Sequence, residues 1–160
     1  MKPTVYVETS VISYLAARPS RDLIVAAHQQ ISQAWWEARQ RWALSVSALV
    51  VAESRAGDME AAQRRLALLE GLPLLLVSDA AVELAGCLLE RAALPAGATD
   101  DALHVAIAAV HGVDYLLTWN CKHIANAYQR PRIEAVCRAL AFQPPVICTP
   151  EELLGGFDVD

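Results

Sequence analysis

The chain has 160 residues, 55% of them hydrophobic, with 13 lysines and arginines against 18 aspartates and glutamates, for a net charge of −5. That length predicts one domain, 1–160, with a sizeable core, and the acidic balance argues mildly against gripping nucleic acid through a broad basic face, leaving a local site, a metal ion or a basic patch hidden in the average. The longest apolar runs, LPLLLV at 72–77 and HVAIAAV at 104–110, fall short of the roughly 18–20 uncharged residues of a membrane span, so no membrane partner is expected.

Glu8 interrupts the only N-terminal stretch that could serve as the core of an export signal. Cys87, Cys121, Cys137 and Cys148 are scattered, and a cytoplasmic chain with four reduced thiols is the expectation. Cys121 and His123 form a single C-x-H pair, which without a second pair is no zinc signature.

In chain order, PTVYV at 3–7 reads as a β-strand and 10–17 as a short helix with Ser10 as its N-cap. RPSRD is a turn, and apolar spacing from Leu23 onward predicts a helix to about Arg41. RWALSVS at 41–47 is a second strand, with Ser45 or Ser47 capping a helix over about 48–56. A helix over 59–70 closes at Gly71, followed by a buried strand at 73–77 and a helix over 78–94 started by Ser78 or Asp79. Thr99 caps a helix over 99–112 that Gly112 stops. Then come a strand at 114–118, a helix at 131–142 and a last strand at 145–149. Thr149, Pro150 and Glu152 have the spacing of a capping box for a final turn of helix. Alternating strands and helices predict an α/β fold with a mostly parallel sheet covered on both faces. Sites in such sheets form beyond the carboxyl ends of the strands.

Polar residues stand at those ends. Glu8, Thr9 and Ser10 follow the first strand; Glu53 rides the helix after the second. Asp100 and Asp101 open the helix at 99, and Trp119 and Asn120 follow the fourth strand. Each has an ordinary explanation: a solvated strand end, an ion pair with Arg55, a helix-dipole contact, a turn residue. Together, Glu8, Glu53 and one of the two aspartates would bring three carboxylates, with the Asn120 amide, to one end of the sheet. Two carboxylates about 5 Å apart repel by roughly 3 kcal/mol at an effective dielectric near 20. A hard divalent ion with oxygen ligands, Mg²⁺ or Mn²⁺, would offset that repulsion. It would also supply the chemistry of phosphodiester hydrolysis, bringing phosphate to an acidic protein through the metal.

VYVETSVISYL, ALVVAES, DDALHVAIA and DYLLTWNCKHIANA resemble, in order and spacing, the motifs of PIN-domain proteins, and most of all the VapC-type toxins of type II toxin–antitoxin systems. The resemblance spans residues 3 to 150. It implies a three-layer α/β/α sandwich around a parallel sheet, an acidic cluster binding Mg²⁺ or Mn²⁺, and RNA cleavage by an activated water. Carried over by motif, Glu8, Glu53 and Asp101 are the metal ligands, and Asn120 stands where many members have a further aspartate. Thr9 or Ser10 matches a hydroxyl that steadies the first carboxylate. Asp100 is second choice to Asp101.

Two departures stand out: Glu8 replaces the usual aspartate, and Asn120 carries no charge, which leaves the site at −3. Lys122 and His123 sit beside the site within reach of phosphate, while His104 shares a helical face with Asp101 and is expected to orient a carboxylate or to pack. Trp35 and Trp42 are expected in the core or at an interface, and Trp119 near the site is a candidate stacking platform. The expected partners are an RNA substrate, a cognate antitoxin and a second copy of the chain. The competing reading is a catalytically weak PIN-like module that binds RNA or protein. The absence of a Gly-rich phosphate loop counts against a nucleotide-cofactor enzyme on the same sheet.

Overall fold

The computed structural model describes residues 1–155. Its centre is a five-stranded, wholly parallel sheet in the order β3-β2-β1-β4-β5. The strands are β1 (Thr4–Val7), β2 (Ala43–Ser47), β3 (Leu74–Leu75), β4 (Tyr115–Leu117) and β5 (Val146–Cys148). All five fall within the segments that the β-branched and aliphatic runs predict, but β3, expected to be a buried strand over 73–77, is a two-residue edge strand with Leu74 60% exposed. The helices are α1 (Thr9–Ala16), α2 (Leu23–Glu37), α3 (Ala48–Ser54), α4 (Met59–Leu69), α5 (Asp79–Glu90), α6 (Thr99–Val110), α7 (Arg130–Ala139) and α8 (Pro150–Gly155). Helix α1 packs against α2, α3 and α4, while α5 packs against α6 and α7. With the right-handed crossovers of parallel sheets, these two groups cover opposite faces.

Local chemistry sets most helix starts. Asp22 caps α2 through Ile24 and Val25, Ser47 caps α3 through Val50, and Ser78 caps α5 through Ala81. Thr149 and Glu152 exchange the two hydrogen bonds of a capping box. Gly71 and Gly112 take the left-handed conformation (φ 80° and 65°) just past α4 and α6, where only glycine is unstrained.

Several helix boundaries differ from the sequence expectation, among them the ends of α5 at Glu90, not 94, and of α7 at Ala139, not 142. Helix α2 ends at Glu37, and a 3₁₀ turn at Arg39–Arg41 carries the chain into β2. Thr99 lies inside α6, whose N-cap is Ala98 and which has no side-chain cap. Most consequential, Ser10 lies inside α1 and the N-cap is Glu8, whose carboxylate accepts the Ser10 N–H. Glutamate is a poor cap by general preference because its longer side chain must fold back. Here other donors around Glu8 hold it in that posture.

The core runs along both faces of the sheet. Val5, Tyr6 and Val7 of β1 and Leu116 and Leu117 of β4 are wholly buried, as the central strands of a doubly covered sheet require. Trp35 and Trp42 are buried with ring centroids 6.1 Å apart, so both are core residues. Helix α6 is buried on nearly every side from Ala102 to Ala109, leaving His104 in an apolar setting. The four cysteines are unpaired; burial pushes the Cys137 thiol up to about 11 and the Cys148 thiol up to about 12.

The chain winds from β1 outward to β3, then returns to start β4 on the other side of β1. The carboxyl ends of β1 and β4 therefore flank the topological switch point, where open parallel sheets form a crevice. A central residue such as Leu116 carries more of the stability than an edge residue such as Val146, which is 58% exposed. Leu116→Ala is expected to cost about 2–5 kcal/mol, and Val146→Ala no more than about 0.5 kcal/mol, in urea unfolding followed by tryptophan fluorescence.

Candidate metal centre

Glu8 follows β1 directly, and its N–H continues the β1–β4 ladder to the Leu117 carbonyl at 3.0 Å. This register sets Glu8 beside Thr118, the first residue past β4. The Thr118 hydroxyl donates to Glu8 Oε1 at 2.5 Å, and the Ser10 hydroxyl donates to the same oxygen at 2.5 Å. Glu8 Oε2 accepts the Ser10 N–H at 3.0 Å. Three donors thus hold a carboxylate that is only 5% exposed, and the positive end of α1 favours its charge. Ser10 Oγ also accepts the Trp119 N–H at 2.8 Å, tying the loop after β4 to the start of α1.

Thr9 turns the other way, toward α3. Its hydroxyl donates to Glu53 Oε1 at 2.6 Å, and His104 Nε2 lies 2.5 Å from the same oxygen. Burial alone would raise the Glu53 carboxyl; the hydrogen bond and electrostatic influence of His104, with the Thr9 hydroxyl, outweigh it and hold it below its ordinary value. Behind His104, Nδ1 lies 2.8 Å from the Tyr6 hydroxyl, which lies 2.8 Å from Ser47 Oγ. Tyr6 and His104 are fully buried, and burial pushes the Tyr6 hydroxyl well above the usual phenol range.

The E-T-S sequence therefore has a division of labour: Thr9 serves Glu53 and Ser10 serves Glu8. Ligand atoms of Glu8, Glu53 and His104 all lie within 4.8 Å of one another. Two ionised carboxylates at that range repel by roughly 3 kcal/mol at an effective dielectric near 20. Both hydrogen bonds to Glu53 fall on Oε1, so among the described residues Oε2 has no donor. A hard cation fits such a donor set.

The remaining candidates take other positions. Asp101 pairs with His123 Nδ1 at 2.8 Å, both partly buried, and stands outside the cluster of three. Cys121 is exposed and, like His123, stands outside that cluster. Asn120 spends Oδ1 on the His123 N–H at 3.0 Å and donates its own N–H to Thr118 Oγ1 at 2.9 Å, so it shapes the loop through which Thr118 reaches Glu8. Asp100 and Lys122 are exposed. Trp119 is buried, not a free platform: its indole N–H donates to Ser32 Oγ at 2.7 Å, and its ring stacks on His28 at 4.0 Å.

Sequence reasoning missed Tyr6 and Ser47. Their one visible signal was polar hydroxyls at positions where central strands are otherwise apolar. Clefts of about 530 and 560 Å³ open along the β5 and β3 edges and include none of these residues. The cluster itself sits at the carboxyl edge of the sheet with Glu53 30% exposed, open to a ligand from outside.

No protein-family profile and no curated protein matches the sequence. Among solved structures, the chain is similar to one in VapBC2 from Rickettsia felis, bound to a DNA fragment from their promoter. The match has 18% identity and a TM-score of 0.59, covering 91% of this chain and 98% of that one. At that identity the likeness concerns the fold: a parallel α/β sheet flanked by helices, of PIN-like form. Among the described residues, no helix is long and apolar enough to cross a membrane.

A lowered Glu53 carboxyl adds stability that is complete above its ordinary value near 4.5 and fades as pH falls through the lower folded value. The urea midpoint of the wild type is expected to drop below pH 4.5 more steeply than that of Glu53→Gln. Parallel pH profiles would show that the carboxylate gains nothing from His104 and Thr9.

Proposed function

We propose that this protein is a Mg²⁺- or Mn²⁺-dependent endoribonuclease of the PIN type, acting as the toxin of a type II toxin–antitoxin pair. The observation that carries this reading is the convergence of Glu8 and Glu53 at the switch point, each oriented by a hydroxyl of E-T-S, with Glu53 Oε2 left without a donor among the described residues. The likeness to a chain of VapBC2 supports the fold part of the reading.

In this reading Glu8 and Glu53 hold the ion, with Asp101 as the third carboxylate. A divalent cation there would supply Lewis-acid stabilisation of a phosphoryl oxygen and lower the pKa of a bound water. Glu8 contributes a carboxylate already fixed by Ser10 and Thr118. His123 orients Asp101 from the loop after β4. Lys122 is exposed on that loop, and in this reading it would meet the RNA backbone. Thr118 and Asn120 hold the loop so that Glu8 keeps its posture. The exposure of Leu23, Ile24, Leu74 and Leu76 supports a protein partner, a cognate antitoxin or a second copy, that covers apolar surface. The activity belongs to the cytoplasm.

A second reading keeps the fold and drops efficient catalysis, leaving an RNA- or protein-binding module. The observation in its favour is Asn120, uncharged and committed to its own turn. Purified protein incubated with RNA and Mn²⁺ or Mg²⁺ discriminates between them. Cleavage is expected for the wild type, and none above the buffer control for Glu8→Gln, Glu53→Gln or Asp101→Asn. Equal cleavage by all four would trace the activity to a contaminant or to another site. Ion binding without cleavage would favour the module.

A further inference from the structure

His104 lies within ligand range of both carboxylates, and distance alone makes it a third ligand beside Glu8 and Glu53. The hydrogen bonds assign it otherwise. We infer that His104 is a positioning residue: the buried chain Ser47–Tyr6–His104 keeps a hydrogen on Nε2, aimed at Glu53 Oε1, so that Oε2 is the oxygen offered to the ion. This rests on the ion-binding reading of the Glu8–Glu53 pair given above.

An ionised carboxylate only accepts. The hydrogen in the 2.5 Å contact between Nε2 and Glu53 Oε1 therefore belongs to the nitrogen. A nitrogen that carries hydrogen has no lone pair for a metal. The other ring nitrogen is no freer: Nδ1 meets the Tyr6 hydroxyl at 2.8 Å, and that hydroxyl meets Ser47 Oγ at 2.8 Å. Ser47 Oγ accepts the Val50 N–H, so its own hydrogen can turn to Tyr6, and the hydrogen of Tyr6 to Nδ1. Tyr6 and His104 have no exposed surface. Turning the ring would strand two nitrogens and a phenol among apolar neighbours, which fixes its orientation.

The consequence falls on Glu53. Thr9 and His104 approach the same oxygen from β1–α1 and from α6, pinning the carboxylate plane with both donors on one side. Partners behind a ligand that fix its orientation change metal affinity by about 10–100-fold when removed. Tyr6 is one step further back and sets which nitrogen of His104 carries the hydrogen.

The test is a Mn²⁺ titration of the full chain, read by electron paramagnetic resonance with detection of ¹⁴N coupling, alongside ¹⁵N NMR of the histidine rings assigned by difference against His104→Gln. In the wild type, bound Mn²⁺ is expected without imidazole ¹⁴N coupling, and the His104 ring with hydrogen on Nε2. His104→Gln, whose amide can still donate to Glu53, is expected to bind within about threefold of the wild type. His104→Ala should bind about 10–100-fold more weakly and Tyr6→Phe up to about tenfold more weakly. Imidazole coupling in the wild type that disappears in His104→Gln would make His104 a ligand and overturn the inference. A bare Nε2 in the wild-type ring would overturn it as well, with no variant needed, and so would wild-type affinity in folded His104→Ala. Failure of the wild type to bind Mn²⁺ at all would bring down the ion site itself, and this inference with it.

Discussion

The arrangement depends on two carboxylates held close together at the edge of an apolar sheet. Left to themselves, Glu8 and Glu53 would swing apart into water. They are kept in place by donors on three sides: the start of α1, the loop after β4 and the buried face of α6. Charge-assisted hydrogen bonds of this kind are roughly twice as strong as neutral ones. Those to Glu8 come from elements that the β1–β4 register brings side by side. The repulsion between the two acids is thus built into the fold and balanced locally, leaving a concentrated negative spot on a chain whose helices are otherwise held by apolar packing.

That balance accommodates an unusual residue. Aspartate is the commoner N-cap, whereas Glu8 reaches the Ser10 N–H by folding its longer side chain back, a posture that the Ser10 and Thr118 hydroxyls hold. Glu8 has the additional methylene, caps its own helix and leaves its carboxylate facing Glu53. The apparent departure from the PIN pattern is therefore accommodated by the chain around it. The uncharged Asn120 likewise has an assigned task in the loop that carries Thr118 and His123.

The strands were legible in the sequence because β-branched and aliphatic runs of that length have few other stable fates in a doubly covered sheet. The helix caps at Ser47, Ser78 and Thr149 follow from short side chains that reach the nearby backbone. Glu8 as a cap was not legible, since its posture is imposed by Thr118, 110 residues away. The pairing of Glu53 with His104 spans 51 positions and needs α3 and α6 docked on the same sheet edge. Helical spacing put His104 on the face of Asp101, and orienting a carboxylate was among its expected roles. That the carboxylate is Glu53, with Tyr6 behind the ring, depends on tertiary packing that no local pattern encodes. Asp101 and His123 met for the same reason, through the loop after β4.

The central claim is that Glu8 and Glu53 stay together in order to hold a divalent cation. An anomalous difference map from crystals soaked in Mn²⁺ tests it most directly. A peak bridging Glu8 and Glu53 Oε2, with His104 still hydrogen-bonded to Oε1, is the predicted result. A map without a peak at that position, or with the two carboxylates turned apart toward solvent, would contradict it.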